Sequence, residues 1–443
     1  MAQNFRLCDR DQALLMPPSL RDWLAQDDLA WCVLDVVAEM DLTAIYGEYR
    51  ADGHGRAAFD PGMMVALLLY AYAIGERSSR AIERRCHVDI AFRVITANQV
   101  PDHATIARFR VRHEQALGGL FGQVLALCAR AGLVSLGVVA VDSTKIAANA
   151  SGDANRSYEQ IAAELLAEAE AVDEAEDEQF GQARGDELPR EMADPASRRA
   201  RLKEAKRQIE AEHEAAKDAH RERLERRAAL EAEQGRRFAG RPPKAPPERI
   251  PSKTRLNITD RDSRSVKTRK GFIQGYNAQA AATSEQIIIA AEIIGNGVDY
   301  GLLEPVVDAA VGELAAAEIS DQIDVLLADA GYWASSQIEN LAARGIRPLV
   351  PPDGQNPEKS IAKNRKGPRY DFMRRVIASD HGRVLYSKRK HTIEPIFGQI
   401  KHNHHITRFQ RRGITACRSE RRLIATTHNL LKPWNANRAP QLA

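Results

Sequence analysis

Two apolar runs in this 443-residue chain each end in an aspartate: Gly137-Val-Val-Ala-Val-Asp142 and Val325-Leu-Leu-Ala-Asp329. Short continuous apolar runs read as buried strands. A carboxylate at a strand end is held by a rigid element yet open to a crevice. A third acid, Glu394, is the only one between Asp380 and Glu420, in a segment crowded with Lys388, Arg389, Lys390 and Lys401. Pro395 belongs in the first turn of a helix. The spacing therefore predicts a helix opening near Thr392, with Glu394 at its N-terminus, where the dipole favours a carboxylate. Lys401 follows two turns later on the same face. Taken singly, each acid is an ordinary turn-former or cap. Converging in a basic groove, the three would suit Mg²⁺ or Mn²⁺, which take oxygen ligands and keep waters. Two such ions ~3.5–4 Å apart are the apparatus of in-line phosphoryl transfer.

The elements that must position these acids fall into two kinds. Residues 1–132 read as helical: Asp60-Pro61 caps the apolar run to Ile74, and Ser78–Cys86 and Val88–Thr96 are short amphipathic segments nearly in contact. Such a pair, studded with Arg80, Arg84, Arg85 and Arg93, fits either a helix-turn-helix or a plain helical bundle. Pro101-Asp102 opens a further helix, and Leu117–Leu133 follows. From Leu136 the period changes. Strands are expected at 137–142, 272–281, 286–294, 325–329 and 346–350, with helices at 302–314 and after Ser335. A mixed sheet with helices on its faces packs this order most simply. Between the first strand and the hairpin lies a charged, Ala-rich insertion, 156–249, expected as two long exposed helices ending in Pro242-Pro-Lys-Ala-Pro-Pro247. The expected units are thus 1–132, then 133–155 with 250–405, the insertion, and a basic end at 406–443.

Composition narrows the class. Hydrophobic residues make up 44% and charged residues 28%, which excludes collagen, wholesale disorder and a disulfide scaffold. The five cysteines are scattered without C-x-x-C, as expected of buried thiols in a reducing compartment. No run approaches the ~20 apolar residues of a membrane span, and the N-terminus lacks a signal-peptide arrangement. A soluble cytoplasmic, nucleoid-associated protein with no membrane partner is expected. The net charge is +3, but Lys363–Arg438 alone carries about 19 lysines and arginines against four acids. Such a lopsided segment fits a polyanion such as nucleic acid, the plain alternative being a solvated basic surface. Arg408, Arg411, Arg412, Arg418, Arg421 and Arg422 read as backbone contacts. His402, His404 and His405 read as phosphate contacts or exposed side chains, Asp260, Asp262, Asp299 and Asp353 as caps, and Tyr332 as part of a turn, with base stacking as the other reading.

Taken in order, VVAVDSTK, DSRSVKTRKGFIQGYNAQAA, LADAGYW and RKHTIEPIFGQIK, with PDHATIARFR near the N-terminus, resemble the DDE transposases of bacterial insertion sequences. The resemblance is to the group whose last acid lies in a Tyr-Arg-Glu-Lys signature. It implies an α+β or α/β chain: a helical N-terminal DNA-binding domain, then an RNase H-like mixed-sheet catalytic domain interrupted by the insertion. It also implies Asp142, Asp329 and Glu394 as ligands of two Mg²⁺ or Mn²⁺ ions, with Asp142 bridging them. Lys401 would contact DNA, with Lys390, Arg389, Arg408, Arg411 and Arg412 beside it. The implied activity is cleavage at terminal inverted repeats and strand transfer by a dimer on DNA. The signature departs in one respect: Ser387 and Lys390 hold the usual Tyr and Arg positions, while Tyr386 and Arg389 lie one residue earlier. Two alternatives are a DNA-binding regulator with dispensable carboxylates, and an interaction protein working through its insertion.

Overall fold

The computed structural model describes residues 19–49, 57–165, 198–238, 242–268, 270–294, 297–353 and 367–438. The N-terminal part is helical: α1 (Leu29–Glu39), α2 (Thr43–Tyr46), α3 (Pro61–Ala73), α4 (Ser79–Val88), α5 (Ile90–Ile95), α6 (His103–Arg112) and α7 (Glu114–Arg130). Asp60 accepts the Met63 N–H at 2.7 Å with Pro61 behind it, the expected start of α3. That helix is apolar on every side and is buried almost throughout, as such helices must be. Asp89 alone separates α4 from α5 and accepts the Ala91 N–H. Asp102 caps α6 through the Thr105 N–H.

The sheet has six strands: β1 (Val138–Ala147), β4 (Arg264–Thr268), β5 (Gly271–Thr283), β6 (Ile288–Ile294), β7 (Val325–Leu327) and β8 (Arg347–Leu349). β2 (Asn155–Ser157) and β3 (Arg255–Asn257) form a separate two-stranded sheet. β5 is long enough to pair with β1 along one edge and with both β4 and β6 along the other. β7 and β8 continue parallel to β1. The expected first strand is too short: β1 does not stop at Asp142 but runs five residues further, because its ladder with β5 holds from Val139↔Thr283 to Ala147↔Gly275. Gly275 permits that pairing, since a Cβ there would lie 2.4 Å from the Ile146 carbonyl oxygen. β4 was not among the expected strands. One apolar core runs from α1 and α3 through α7 into β1, β6 and β7, so the helical part and the sheet share their interior.

α9 (Leu303–Ala316) and α10 (Ser335–Ala343) flank the sheet, followed by α11 (Pro368–Ala378), α12 (Asp380–Gly398) and α13 (Ile414–Arg438). Of the insertion, a helical stretch at 158–165 and α8 (Arg198–Glu233) are described; 166–197, with most of its acidic half, lies outside the described residues. Ile161, Leu202, Ala205 and Ile209 pack on Leu256 of β3, anchoring one end of α8. α13 is no free tail. Its Asn429 brackets the free edge of β6, accepting the Ile288 N–H and donating to the Ile288 carbonyl, both at 2.8 Å.

α12 overturns the expected helix start. It begins at Asp380, capped by Ser379, and carries Pro395 inside. An internal proline frees the carbonyl four residues back, here that of His391, and Gln286 at the tip of the β5–β6 hairpin donates its Nε2 to that oxygen at 3.1 Å. The hairpin thus makes the proline tolerable. Gln286→Ala should lower stability by about 1 kcal/mol. In a Pro395→Ala background, where the helix supplies its own N–H, the share of that loss owed to His391 should vanish and the share owed to Lys432, whose Nζ donates to Gln286 Oε1 at 2.8 Å, should remain; a double-mutant cycle by denaturation measures the coupling.

Candidate active site

β1 and β7 are adjacent and parallel, with Ala140 opposite Leu327. Extending the register two residues brings Asp142 level with Asp329. Asp329 lies just past β7 and accepts the Gly331 N–H at 2.9 Å, so a short turn holds its carboxylate at the strand end. Asp142 accepts the Ser143 N–H at 2.7 Å and pairs with Arg389 Nη1 at 2.7 Å. Burial pushes the Asp142 carboxyl up to about 6 against the opposing pull of Arg389, and the Asp329 charge adds to the rise. Asp329 is raised too, by burial and by the Asp299 charge, against the Gly331 N–H, Arg389 and Lys145. Burial works against the charge on Arg389 as well, but Asp142, Tyr386 and Asp329 outweigh it and hold the guanidinium firmly protonated.

The structure decides the one-residue departure in the signature. Tyr386 and Arg389, three apart on α12, face the aspartates, and Arg389 is buried. Ser387 and Lys390, at the usual spacing, are exposed. One turn beyond Arg389 that inner face presents Ile393, which is fully buried. Glu394, one residue later and so about 100° further round the helix, is exposed. Asp142 and Asp329 thus lie at the ends of neighbouring strands, while the Glu394 side chain is exposed on α12. Among the described residues no group of three or more His, Cys, Asp or Glu side chains is disposed to hold a metal ion.

A different acid stands beside Asp329. Asp299 does not serve as a simple cap; its Oδ1 accepts the side-chain amides of Asn277 and Gln279, both at 2.9 Å, and lies 3.5 Å from Lys145 Nζ. Lys145 also donates to Asn277 Oδ1 at 2.6 Å. A Cβ on Gly331 would lie 3.0 Å from Asp329 Oδ1 and 3.8 Å from Asp299 Oδ2, so the glycine keeps the space between the two carboxylates open. Tyr332 is fully buried with its hydroxyl donating to Gln279, which removes it from base stacking. The signal for this network was the polar pair Asn277 and Gln279, alternating within an otherwise small and apolar strand.

Several expected DNA contacts turn inward. Lys401 lies in a single π turn, Gln399–Asn403, and donates to the Lys145 carbonyl at 2.9 Å; burial lowers its pKa. Such turns are frequent at functional sites. Arg411 pairs with Glu114, Arg418 with Glu292 and Arg422 with Glu313, and Arg421 is wholly buried. Lys390, Arg408 and Arg412 remain exposed, as do His402 and His405.

Comparison with known families bears on this arrangement. Residues 18–112 match a transposase domain (DUF772), and residues 355–434, which include Glu394 and Lys401, match a transposase DDE domain. Both matches support an insertion-sequence DDE transposase. No curated protein and no solved structure matched it. DDE transposases generally use divalent metals. Asp142 and Asp329 suit such an ion as paired hard-oxygen donors, and the gap at Gly331 leaves room beside Asp329. Among the described residues no helix is long and apolar enough to cross a membrane.

The buried Asp142–Arg389 pair has a pH signature. Because the folded carboxyl titrates at about 6 rather than at its ordinary 3.8, the folded chain holds a proton that the unfolded chain has lost between those values. Stability therefore declines as pH rises through that window. Removing Arg389 lifts the carboxyl further and extends the decline upward. Arg389→Gln should lower stability by about 2 kcal/mol or more at pH 8 and by clearly less at pH 5. Denaturation at the two pH values checks this; equal losses would mean that the side chain acts only by packing.

Proposed function

We propose that this chain is a DNA transposase that binds terminal inverted repeats and cleaves and joins DNA at Asp142 and Asp329, in an RNase H-like domain. One observation carries the reading: two half-buried aspartates lie at the ends of adjacent parallel strands, beside a basic helix from the DDE-matched segment. The strand order, with a long antiparallel β5 on one side of β1 and parallel β7 and β8 on the other, supports the RNase H-like assignment.

Asp142 and Asp329 are the residues to hold Mg²⁺ or Mn²⁺, two ions in the full reading, with Glu394 as third ligand. A bound divalent ion would supply charge stabilisation at the phosphate and a more acidic water. The chain's own groups supply the rest. Arg389 balances the aspartates before substrate arrives and is the nearest cation for an incoming phosphate. Lys390, exposed on the same helix, holds backbone. Asn277, Gln279 and Lys145 fix Asp299, whose charge bears on Asp329. For Glu394 to join the aspartates, α12 must turn by about 100°, and the hairpin-braced Pro395 and the π turn are the irregular points of the helix that would absorb such a turn. Synapsis of two ends would need a dimer on DNA.

The outward face of Glu394 also favours a second reading, a DNA-binding regulator that does not cut. One experiment separates the two. Purified protein is incubated with DNA carrying its terminal repeats in Mg²⁺ or Mn²⁺. The wild type should nick at the repeat end, whereas Asp142→Ala and Asp329→Ala should bind equally and cut at least 100-fold more slowly (on the order of 2.7 kcal/mol). Glu394→Ala should be equally inactive. Cutting by Glu394→Ala alone would remove that residue from the set, and binding without cutting by the wild type would favour the regulator.

A further inference from the structure

We infer that a cleft at the far end of β1, flanked by Arg408 and Arg412, is a second DNA-backbone site that grips phosphates away from the aspartates. The inference rests on the DNA-binding reading above and adds a location to it. The cleft has a volume of about 460 Å³; Ala147–Gly152, Thr259 and Gln274 line it with the two arginines. Both guanidiniums are exposed, and neither forms an ion pair among the described residues.

What distinguishes these two arginines from ordinary surface cations is the rigidity of the loop that presents them. The loop adds to the edge of β1: the Ala147 N–H donates to the Thr407 carbonyl at 3.0 Å, and the Phe409 N–H donates to the Ala147 carbonyl at 2.9 Å. Phe409 is fully buried against Tyr276. Glu420, buried and paired with Arg77 at 2.6 Å, accepts the backbone N–H groups of Gln410 and Arg411. Asp262 accepts the Ile414 N–H at 2.8 Å, and Asp260 binds Tyr276 and the Gly413 N–H. Those acids are thus engaged with the loop's backbone and Tyr276. Inward anchors at Phe409 and Arg411 alternate with outward cations at Arg408 and Arg412. Arg412 donates its Nε to the Asn149 carbonyl at 2.8 Å, which tethers the guanidinium and does not engage its two terminal nitrogens. A fixed fork is suited to bidentate contact with phosphate.

Five residues of strand separate Asp142 from Ala147, about 17 Å, or roughly five base steps of duplex. The cleft therefore engages the same duplex as the aspartates, some five steps from the bond they address. The partner is double-stranded DNA read through its backbone, without sequence preference.

The test is binding of a short duplex of arbitrary sequence, followed by anisotropy across a salt series. Relative to wild type, the Arg408→Ala/Arg412→Ala double variant should bind more weakly, and log K should fall with log[salt] about two units less steeply, at ~0.9 per phosphate lost. The lysine double variant should recover the slope while remaining weaker, because charge is kept and the fork is not. Arg347→Ala, whose arginine pairs with Asp324 near the other edge of the sheet, should leave the slope unchanged. An unchanged slope in the alanine double variant, or an equal change in Arg347→Ala, overturns the cleft. A wild type that binds no duplex overturns the cleft and the DNA-binding reading together. Thermal melting should show only a small difference between wild type and the double variant, since both side chains lie outside the core and only the exposed Arg412–Asn149 bond is lost.

Discussion

The ladder between β1 and β5 is the constraint on which the rest of the molecule depends. Nine consecutive residues of β1 pair with β5, and the same β5 carries β4 and β6 on its other edge. Because side chains alternate along a strand, this single register sets which polar residues share a face. It brings Ser143 and Lys145 opposite Gln279 and Asn277 and leaves Asp142 opposite Ala280, where a small side chain gives Arg389 room to reach it. A slip of one residue would exchange the two sets. Gly275, at the end of the ladder, has no Cβ to collide with β1, which lets the pairing reach the loop at Arg408.

On this frame the site is a balance of buried charge. Asp142 and Asp329 are brought to neighbouring strand ends by the parallel β1–β7 pair, and burial raises both carboxyls. Arg389 supplies the compensating charge from α12. With its charge already balanced by an internal cation, the carboxylate pair can take a phosphate or metal by exchange of a partner instead of by creating a charge. The same logic separates the arginines of the C-terminal segment. Arg411, in the loop before α13, pairs with Glu114 of α7, and Arg418 and Arg422 tie α13 to β6 and α9, whereas Arg408 and Arg412 have no acid partner among the described residues and are exposed on a loop locked by Glu420.

Helix register is the second determinant. α12 runs unbroken through Pro395 because the hairpin tip satisfies the carbonyl that the proline abandons. Continuity fixes the angular positions of Tyr386, Arg389 and Ile393 toward the sheet and turns Glu394 outward. The π turn that follows redirects Lys401 onto the β1 backbone. Packing of distant segments, not local preference, thus sets which members of the signature reach the aspartates.

Local chemistry was legible in the residues themselves. The caps at Asp60 and Asp102, the apolar runs leading to Asp142 and Asp329, the hairpin after Ala281 and the excess of positive charge near the C-terminus follow from hydrophobic period, proline and glycine placement and composition, which act over a few residues. The pairing partners of those strands, the true start of α12, the outward turn of Glu394 and the arrival of Asp299 beside Asp329 were decided by tertiary structure. Each depends on a group far away in the chain: Gln286 on His391, Asn277 and Gln279 on Asp299, Arg389 on Asp142. A local pattern cannot encode such a contact, because the free energy that fixes it exists only once the partners are packed and water has been excluded from between them.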